Sequence, residues 1–242
     1  MSNDSQRRFA VAINAEALAL AWARQESGPA GSVVVVDHEI SPRGRLGRLW
    51  PHPAERTAVV AMVWRPDLTA DQADLVWLGA SLGLLAAARQ VAGDSAMCGL
   101  SWPDVLVDAD EQRVGEVRAE VQLGPGRVTS AVVTARLDVT ALGALDRDAV
   151  LDAMIDGLGA GAAKLATGVD RLRETYRSCC VLTGRRVTAR LLPRGVARGT
   201  VRGVDASGRL ELVSSTGLVE PVAVVSFDRL DVVRDDPTRT AD

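Results

Sequence analysis

Lysine, cysteine and histidine side chains are scarce in this chain of 242 residues, and each shortage limits the chemistry that these side chains can perform. Lys164 is the only lysine, so any reaction that needs a lysine amine has a single candidate residue. The three cysteines, Cys98, Cys179 and Cys180, cannot pair completely, and adjacent cysteines rarely bridge each other. We therefore expect reduced, structural thiols. The two histidines lack companions at metal-ligand spacing, which predicts no metal site.

Long apolar runs and an excess of one charge are also missing. No stretch approaches the roughly 18–20 consecutive apolar residues of a membrane helix, and residues 1–8 are too polar for a secretory signal. The formal net charge is -3, and the basic residues are spread along the chain instead of forming one patch. These features predict a globular protein of the cytoplasm that contacts neither membrane nor nucleic acid.

The first 180 residues mix helical and strand patterns. After a polar tail, a helix is expected as the first element, so no helix-turn-helix unit is expected before it. The predicted helices cover residues 14–24, 70–91 and 148–177, and the predicted strands cover 32–36, 57–64, 106–107, 114–121 and 128–139. The glycines of residues 157–161 predict a kink or a break in the last helix. The alternative, a phosphate-binding loop, is disfavoured because no strand precedes them.

Beyond residue 183 the pattern changes to short alternating strands separated by turns. These strands are predicted at residues 186–192, 199–204, 209–213 and 220–227, a spacing typical of a small barrel. We therefore divide the chain into an α+β domain of residues 1–180, a barrel of residues 181–233 and a tail of residues 234–242.

An arginine-rich loop, residues 42–50, follows the first buried strand and reads PRGRLGRLW. Glycine lets backbone N–H groups approach a ligand, and each guanidinium can fork onto the oxygens of a phosphate. The pattern therefore favours an anion-binding loop about as strongly as the alternative, a solvated basic loop.

This arginine loop resembles the Gly-Arg-Gly-Arg-x-Gly-Arg-x-Trp signature of biotin protein ligases, with Pro42 in place of the first glycine. Other segments follow in that family's order. Residues 33–37 resemble the preceding strand, 102–107 the Lys-Trp-Pro-Asn-Asp-Val-Leu-Val segment, 113–120 the Lys-Leu-Ala-Gly-Ile-Leu-x-Glu segment, and 176–230 the SH3-like domain. The resemblance implies a class II synthetase-like biotin/lipoate ligase domain, a mixed sheet with flanking helices, followed by an SH3-like β-barrel.

The same resemblance implies a reaction. Biotin and ATP, with Mg²⁺ accompanying ATP, would form biotinyl-5′-adenylate, and biotin would pass to a lysine of the biotin carboxyl carrier domain of an acyl-CoA carboxylase. Arg113 stands at the position of the family's catalytic lysine. The other implied ligand-binding residues are Asn14, Glu39, Arg43, Gly44, Arg45, Gly47, Arg48, Trp50, Trp102 and Asp104. For Trp102, an ordinary core tryptophan is an equally good interpretation. A homodimer through a sheet edge is also implied as possible.

Several family positions are replaced in this chain. The Ser-Thr-Asn segment reads Ala12-Ile13-Asn14, the glutamine before the arginine loop is Glu39, and a ligand-facing glycine is Glu116. The family's Gly-x-Gly-x-Asn strand reads Thr-Ala-Arg-Leu-Asp over residues 134–138. Each lost polar partner costs about 1–3 kcal/mol of ligand binding, and we expect the new carboxylates to repel an anionic adenylate. The alternative to a divergent ligase is therefore a catalytically silent homologue that acts as a ligand- or protein-binding module.

Overall fold

The computed structural model describes residues 5–92, 98–143, 146–166 and 168–233. Over these residues the chain forms two β-sheets and four α-helices. The first sheet contains β1 (Gln6–Ala12), β2 (Val33–Glu39), β3 (Thr57–Trp64), β4 (Gly99–Ser101), β5 (Val105–Val107), β6 (Arg113–Gly124) and β7 (Arg127–Asp138). Its strand order is β1-β2-β3-β7-β6-β5-β4. The β1–β2 pair is parallel and the other pairs of this sheet are antiparallel, so the sheet is mixed as predicted.

Helices cover both faces of this sheet. They are α1 (Ala15–Gln25), α2 (Leu75–Ala92), α3 (Arg147–Ala166) and α4 (Val169–Cys179). Strand β3 shows why: Val59, Ala61 and Val63 pack with α1 on one face. Val60 and Met62 belong to the larger core on the other face, with residues of α2 and α3. A strand buried on both sides reads as a continuous apolar run, which is why its predicted bounds are correct.

The second sheet is a five-stranded antiparallel unit. It contains β8 (Arg186–Leu191), β9 (Val196–Val204), β10 (Leu210–Val213), β11 (Val219–Val222) and β12 (Phe227–Val232), in the order β11-β10-β9-β8-β12. The predicted small β unit after an α+β sheet is confirmed. The single strand predicted at residues 220–227 is wrong, because a 3₁₀ turn at Val224–Ser226 divides it into β11 and β12.

The predicted first element is also wrong, since β1 precedes α1. Strand β1 lies at the edge of the first sheet, where it pairs with β2 alone. Most of its residues are exposed, so its sequence lacks the apolar alternation of a half-buried strand. The short strand β4 was missed for a different reason: three residues are too few to show a period.

The glycines of α3 do not break the helix at residues 157–161. Helix α3 continues through residues 157–161 and ends at Ala166, and the break before α4 falls at Gly168, whose φ is 112°. Gly157 and Gly161 instead lie against Gly83 and Gly79 of α2. A methyl group added at Gly83 would approach the Gly157 carbonyl oxygen to 2.5 Å. The glycines therefore permit close contact between the two helix backbones.

Among the residues that the structure describes, one segment, Ala70–Ala92, is long and apolar enough to span a membrane, with a mean hydropathy of 1.4. In this fold 72% of its most apolar window is buried, because α2 packs against both the first sheet and α3. Its apolar character is that of a core helix. The three cysteines are free, as expected.

Candidate functional site

The arginine loop joins β2 to β3 and closes on itself. The Gly44 N–H donates to the Arg48 carbonyl at 2.8 Å, and the Trp50 N–H donates to the Pro42 carbonyl at 3.1 Å. Leu46 and Gly47 turn the chain with φ values of 57° and 72°. The left-handed conformation at position 47 suits glycine, which explains that residue in structural terms.

Arg45 points inward and fastens the loop to the rest of the protein. Its side chain is 7% exposed and donates to the Asp104 carboxylate at 3.1 Å. It also donates to the carbonyls of Phe227 at 2.5 Å and Asp228 at 2.7 Å, both at the start of β12. Arg48 adds an ion pair with the Asp228 carboxylate at 2.5 Å. The loop is thus bonded to both sheets.

Asp104 is the buried partner of that contact. Burial raises the pKa of the Asp104 carboxyl above its ordinary value, and the neighbouring Arg45 and Arg113 guanidiniums oppose the rise. Because Arg45 already bonds three acceptors, little of its guanidinium is left for another anion.

Arg43 and Gly44 are neighbours in the same loop but differ in exposure. Arg43 is exposed and donates to the Ser41 hydroxyl at 3.1 Å and to the Gly47 carbonyl at 2.9 Å. Gly44 is buried directly above the Glu116 carboxylate, and a Cβ at this position would overlap the carboxylate oxygens. Glycine is needed here to accommodate a side chain of this protein.

Beneath the loop lies a set of charged side chains that we call the buried ion cluster: Glu39, Arg113, Glu116 and Arg136. The Arg136 side chain is 0% exposed and forms a fork with Glu39, with N–O distances of 2.7 and 3.0 Å. Its remaining terminal nitrogen donates to Glu116 at 3.2 Å. Glu116, also 0% exposed, pairs through its other oxygen with Arg113. Arg136 therefore bridges two acidic residues from distant parts of the chain.

The environment of Arg113 reflects this burial. Burial lowers the pKa of the Arg113 guanidinium, and nearby Asp104 opposes the shift. The guanidinium also lies 5.1 Å from the centroid of the Trp50 ring, a cation–π contact. Arg113 is engaged by Glu116 on one side and by Trp50 on the other.

A second ion pair lies beside the cluster. Arg118 of β6 pairs with Glu16 of α1 at 2.8 Å. Burial raises the pKa of the Glu16 carboxyl, and the charge of Arg118 opposes that rise. Together the two groups contain three glutamates and three arginines, so their formal charges sum to zero.

This charge balance corrects one expectation. The carboxylates of Glu39 and Glu116 were expected to repel an anionic adenylate. Arg136 bonds both carboxylates and Arg113 pairs with Glu116, so the two negative charges are balanced by two positive ones. Arg136 occupies the second glycine position of the Gly-x-Gly-x-Asn strand. Arg136, Arg118 and Glu16 were not among the predicted site residues. A signal for this pairing was present in the sequence, because Glu116 and Arg136 have opposite charges and both stand where the family pattern has glycine.

Two predicted site residues, Asn14 and Trp102, make structural contacts outside the arginine loop and the buried ion cluster. Asn14 caps α1, its side chain accepting the Ala17 N–H at 2.8 Å. Trp102 is 2% exposed, donates to the Gly208 carbonyl at 3.3 Å and packs on Phe227. The surroundings of Trp102 are therefore those of an ordinary core tryptophan. The remaining predicted residues lie together around the loop: Glu39, Arg43, Gly44, Arg45, Gly47, Arg48, Trp50, Asp104 and Arg113.

Little enclosed space remains beside Glu39. The cavity that touches Glu39, Trp50 and His52 has a volume of about 20 Å³, far below the roughly 300–1,000 Å³ of typical small-molecule sites. His52 and Arg56 both contact the Asp138 carboxylate at its edge. Among the residues that the structure describes, no group of three or more metal-ligating side chains is found.

Sequence comparisons find similarity to one family. The model described as "Biotin protein ligase C terminal domain" matches residues 182–228. The "Biotin--[acetyl-CoA-carboxylase] ligase" of Mycobacterium tuberculosis is 29% identical over 194 residues, which cover 74% of this chain and 72% of that protein. The chain is therefore similar in sequence to biotin protein ligases over most of its length.

Another relative matches a smaller part. The "Bifunctional ligase/repressor BirA" of Bacillus subtilis is 26% identical over 114 residues, which cover 47% of this chain. That match spans about a third, 34%, of the Bacillus protein.

Solved biotin protein ligase structures share the fold. The biotin protein ligase from Aquifex aeolicus, solved in complex with biotin and ATP, gives a TM-score of 0.73 at 17% identity, covering 95% of this chain and 99% of that one. A biotin protein ligase-like protein of unknown function from Silicibacter sp. gives a TM-score of 0.69 at 18% identity, covering 90% and 93%. The predicted biotin protein ligase fold is confirmed.

Proposed function

We propose that this biotin protein ligase homologue does not form biotinyl-adenylate or transfer biotin, and that it acts by binding another molecule. The observation that carries the proposal is the buried ion cluster. Glu116 and Arg136 stand where the family resemblance places glycines against the ligand, and both side chains are 0% exposed. A ligand in that position would have to displace them.

Displacement would be costly for an electrostatic reason. Separating a buried ion pair so that one charge stays unpaired costs about 3–5 kcal/mol. Arg136 holds two such pairs, with Glu39 and with Glu116, and both would have to be broken to clear the position. The polar contacts that the resemblance assigns to Ser and Thr are also missing at Ala12 and Ile13. These residues do not fit biotin or its adenylate.

A transfer assay tests the catalytic half of the proposal. The protein is incubated with ATP, Mg²⁺, labelled biotin and a biotin carboxyl carrier domain, and the label on the carrier is measured. We expect no label above the enzyme-free background and no thermal shift with biotin or biotinyl-adenylate. The Mycobacterium tuberculosis relative serves as the positive control.

Label on the carrier that disappears in the Arg43→Ala variant would overturn the proposal. Arg43 is suited to this control because its guanidinium lies on the exposed side of the loop and is not part of the buried ion cluster. Label that persists in the variant would equally count against a silent protein.

A surface for binding lies on the other side of the arginine loop. A groove with a volume of about 390 Å³ runs between β6, the start of α2 and the second sheet. Leu46, Leu123 and Val225 line it and are 49%, 58% and 84% exposed. Exposed apolar side chains gathered on one groove favour a protein partner over a polar small molecule.

The carrier domain is the partner to test first, because the Mycobacterium relative is named a ligase of acetyl-CoA-carboxylase. We expect a purified biotin carboxyl carrier domain to bind the wild-type protein in calorimetry. The Val225→Asp variant should weaken binding about tenfold or more, because a carboxylate in an apolar contact must lose its water. The matched control is Leu192→Asp, an exposed apolar residue that does not line the groove. Equal weakening by both variants would argue against the groove.

A further inference from the structure

The arginine loop is bonded from below by the same charged groups that fill the site. Arg136 donates to the Arg43 carbonyl at 3.2 Å, and Arg118 donates to the Gly44 carbonyl at 3.3 Å. The Glu116 carboxylate lies directly under Gly44. Two successive loop carbonyls therefore accept hydrogen bonds from guanidiniums that rise from neighbouring strands of the first sheet.

The loop is bonded from the side as well. Arg45 and Arg48 reach β12 through the Phe227 and Asp228 contacts described above. Within the loop, the N–H groups of Gly44, Gly47, Arg48 and Trp50 all donate to loop carbonyls. This arrangement uses only side chains and backbone of the chain itself.

We infer that the buried ion cluster, together with the neighbouring Arg118, takes the place of a ligand in holding the arginine loop closed, so that the protein keeps one closed loop state with no ligand added. This inference concerns the same site as the proposed function and rests on it for the statement that the cluster occupies ligand space. Beyond the proposed function, the inference states how the loop is held in place. The donors at Arg136 and Arg118 hold the carbonyls of residues 43 and 44, and the neutral charge balance keeps those donors in position.

Hydrogen exchange of the full-length protein tests this inference. In the wild type without added ligand, the amides of Gly44, Arg48 and Trp50 should exchange at least tenfold more slowly than in an unstructured peptide of the same sequence. Adding biotin and ATP should leave their rates unchanged. In the triple variant Glu39→Gln, Glu116→Gly, Arg136→Gly, these amides should exchange at least tenfold faster than in the wild type.

Two further variants make the result specific. A variant with Glu39→Gln, Glu116→Gln and Arg136→Met keeps the volume of the cluster and removes its ion pairs, and it should also speed loop exchange. If the variant with Glu116→Gly and Arg136→Gly does not fold, as judged by fast exchange of its β3 amides, the volume-keeping variant is measured in its place. The matched control is Arg202→Gln, which breaks an exposed ion pair with Glu211 in the second sheet and should leave the loop amides unchanged.

The results separate the inference from the proposed function. Unprotected loop amides in the wild type, or wild-type protection in both cluster variants with β3 still protected, would overturn the closed loop. A protein that is inert in the transfer assay with an unprotected loop would refute the inference and leave the proposed function standing. A protein that labels the carrier while its loop is protected without ligand would refute the proposed function and leave the closed loop standing.

Discussion

Replacing Arg136 with alanine is expected to lower the free energy of unfolding by about 3–5 kcal/mol, because it leaves buried charge without a partner. The side chain has 0% exposure and is the shared partner of Glu39 and Glu116. Neither carboxylate can turn to bulk water, since Glu39 is 8% exposed and Glu116 is 0% exposed. Urea denaturation of the wild type and the variant, at pH 7 and the same ionic strength, measures the difference.

Two controls separate charge from volume and from burial. Arg202→Ala removes an arginine of which 52% is exposed and should cost less than about 1 kcal/mol. Arg136→Met combined with Glu39→Gln and Glu116→Gln removes the three most buried charges of the cluster and leaves Arg113, whose side chain is 30% exposed to water. This variant should recover most of the lost stability, because neutral groups of similar size need no counter-charge. A loss at Arg136→Ala no larger than the loss at Arg202→Ala would show that the cluster is not a strongly coupled group.

Gly83→Ala is expected to destabilise the fold by about 1–3 kcal/mol, as overpacking does in a well-filled core. The added methyl group would lie 2.5 Å from the Gly157 carbonyl oxygen. The obstacle is backbone of α3, so no side chain can rotate away and the two helices must separate. Thermal denaturation followed by circular dichroism should show the lower melting temperature.

Gly159→Ala is the matched control for this helix contact. Gly159 lies in α3 two residues from Gly157, and a methyl group there meets nothing within 4 Å. Alanine is the better helix former, so this variant should gain about 0.5–1 kcal/mol. Equal effects of the two variants would contradict the close backbone contact between α2 and α3.

These glycines illustrate what the sequence could and could not reveal. A run such as Gly157 to Gly161 weakens a helix by local propensity, and local propensity was the only information available for it. Its partner glycines, Gly79 and Gly83, lie far away in sequence, so the contact that uses them cannot be predicted from either segment alone. By contrast, the apolar residues 57–64 form one continuous run, so the bounds of β3 could be predicted from that segment alone.

The buried ion cluster was missed for a related reason. Considered singly, Glu39, Glu116 and Arg136 are three departures from a family pattern, and each departure weakens an expected ligand contact. Their benefit exists only as a set, because the fold brings β2, β6 and β7 together beneath one loop. Sequence order alone gives no distance between these strands, so three separate losses were predicted where the structure has one neutral group.

The attachment of this cluster to the chain has a consequence for any molecule that could compete with it. A tethered group meets its binding position at an effective concentration on the order of millimolar or higher, and it cannot diffuse away. The guanidinium of Arg136 is such a group, since the strand that carries it also forms the floor of the site. A dissolved metabolite present at micromolar levels would therefore compete for this position with the covalently attached Arg136 side chain, whose effective concentration is far higher.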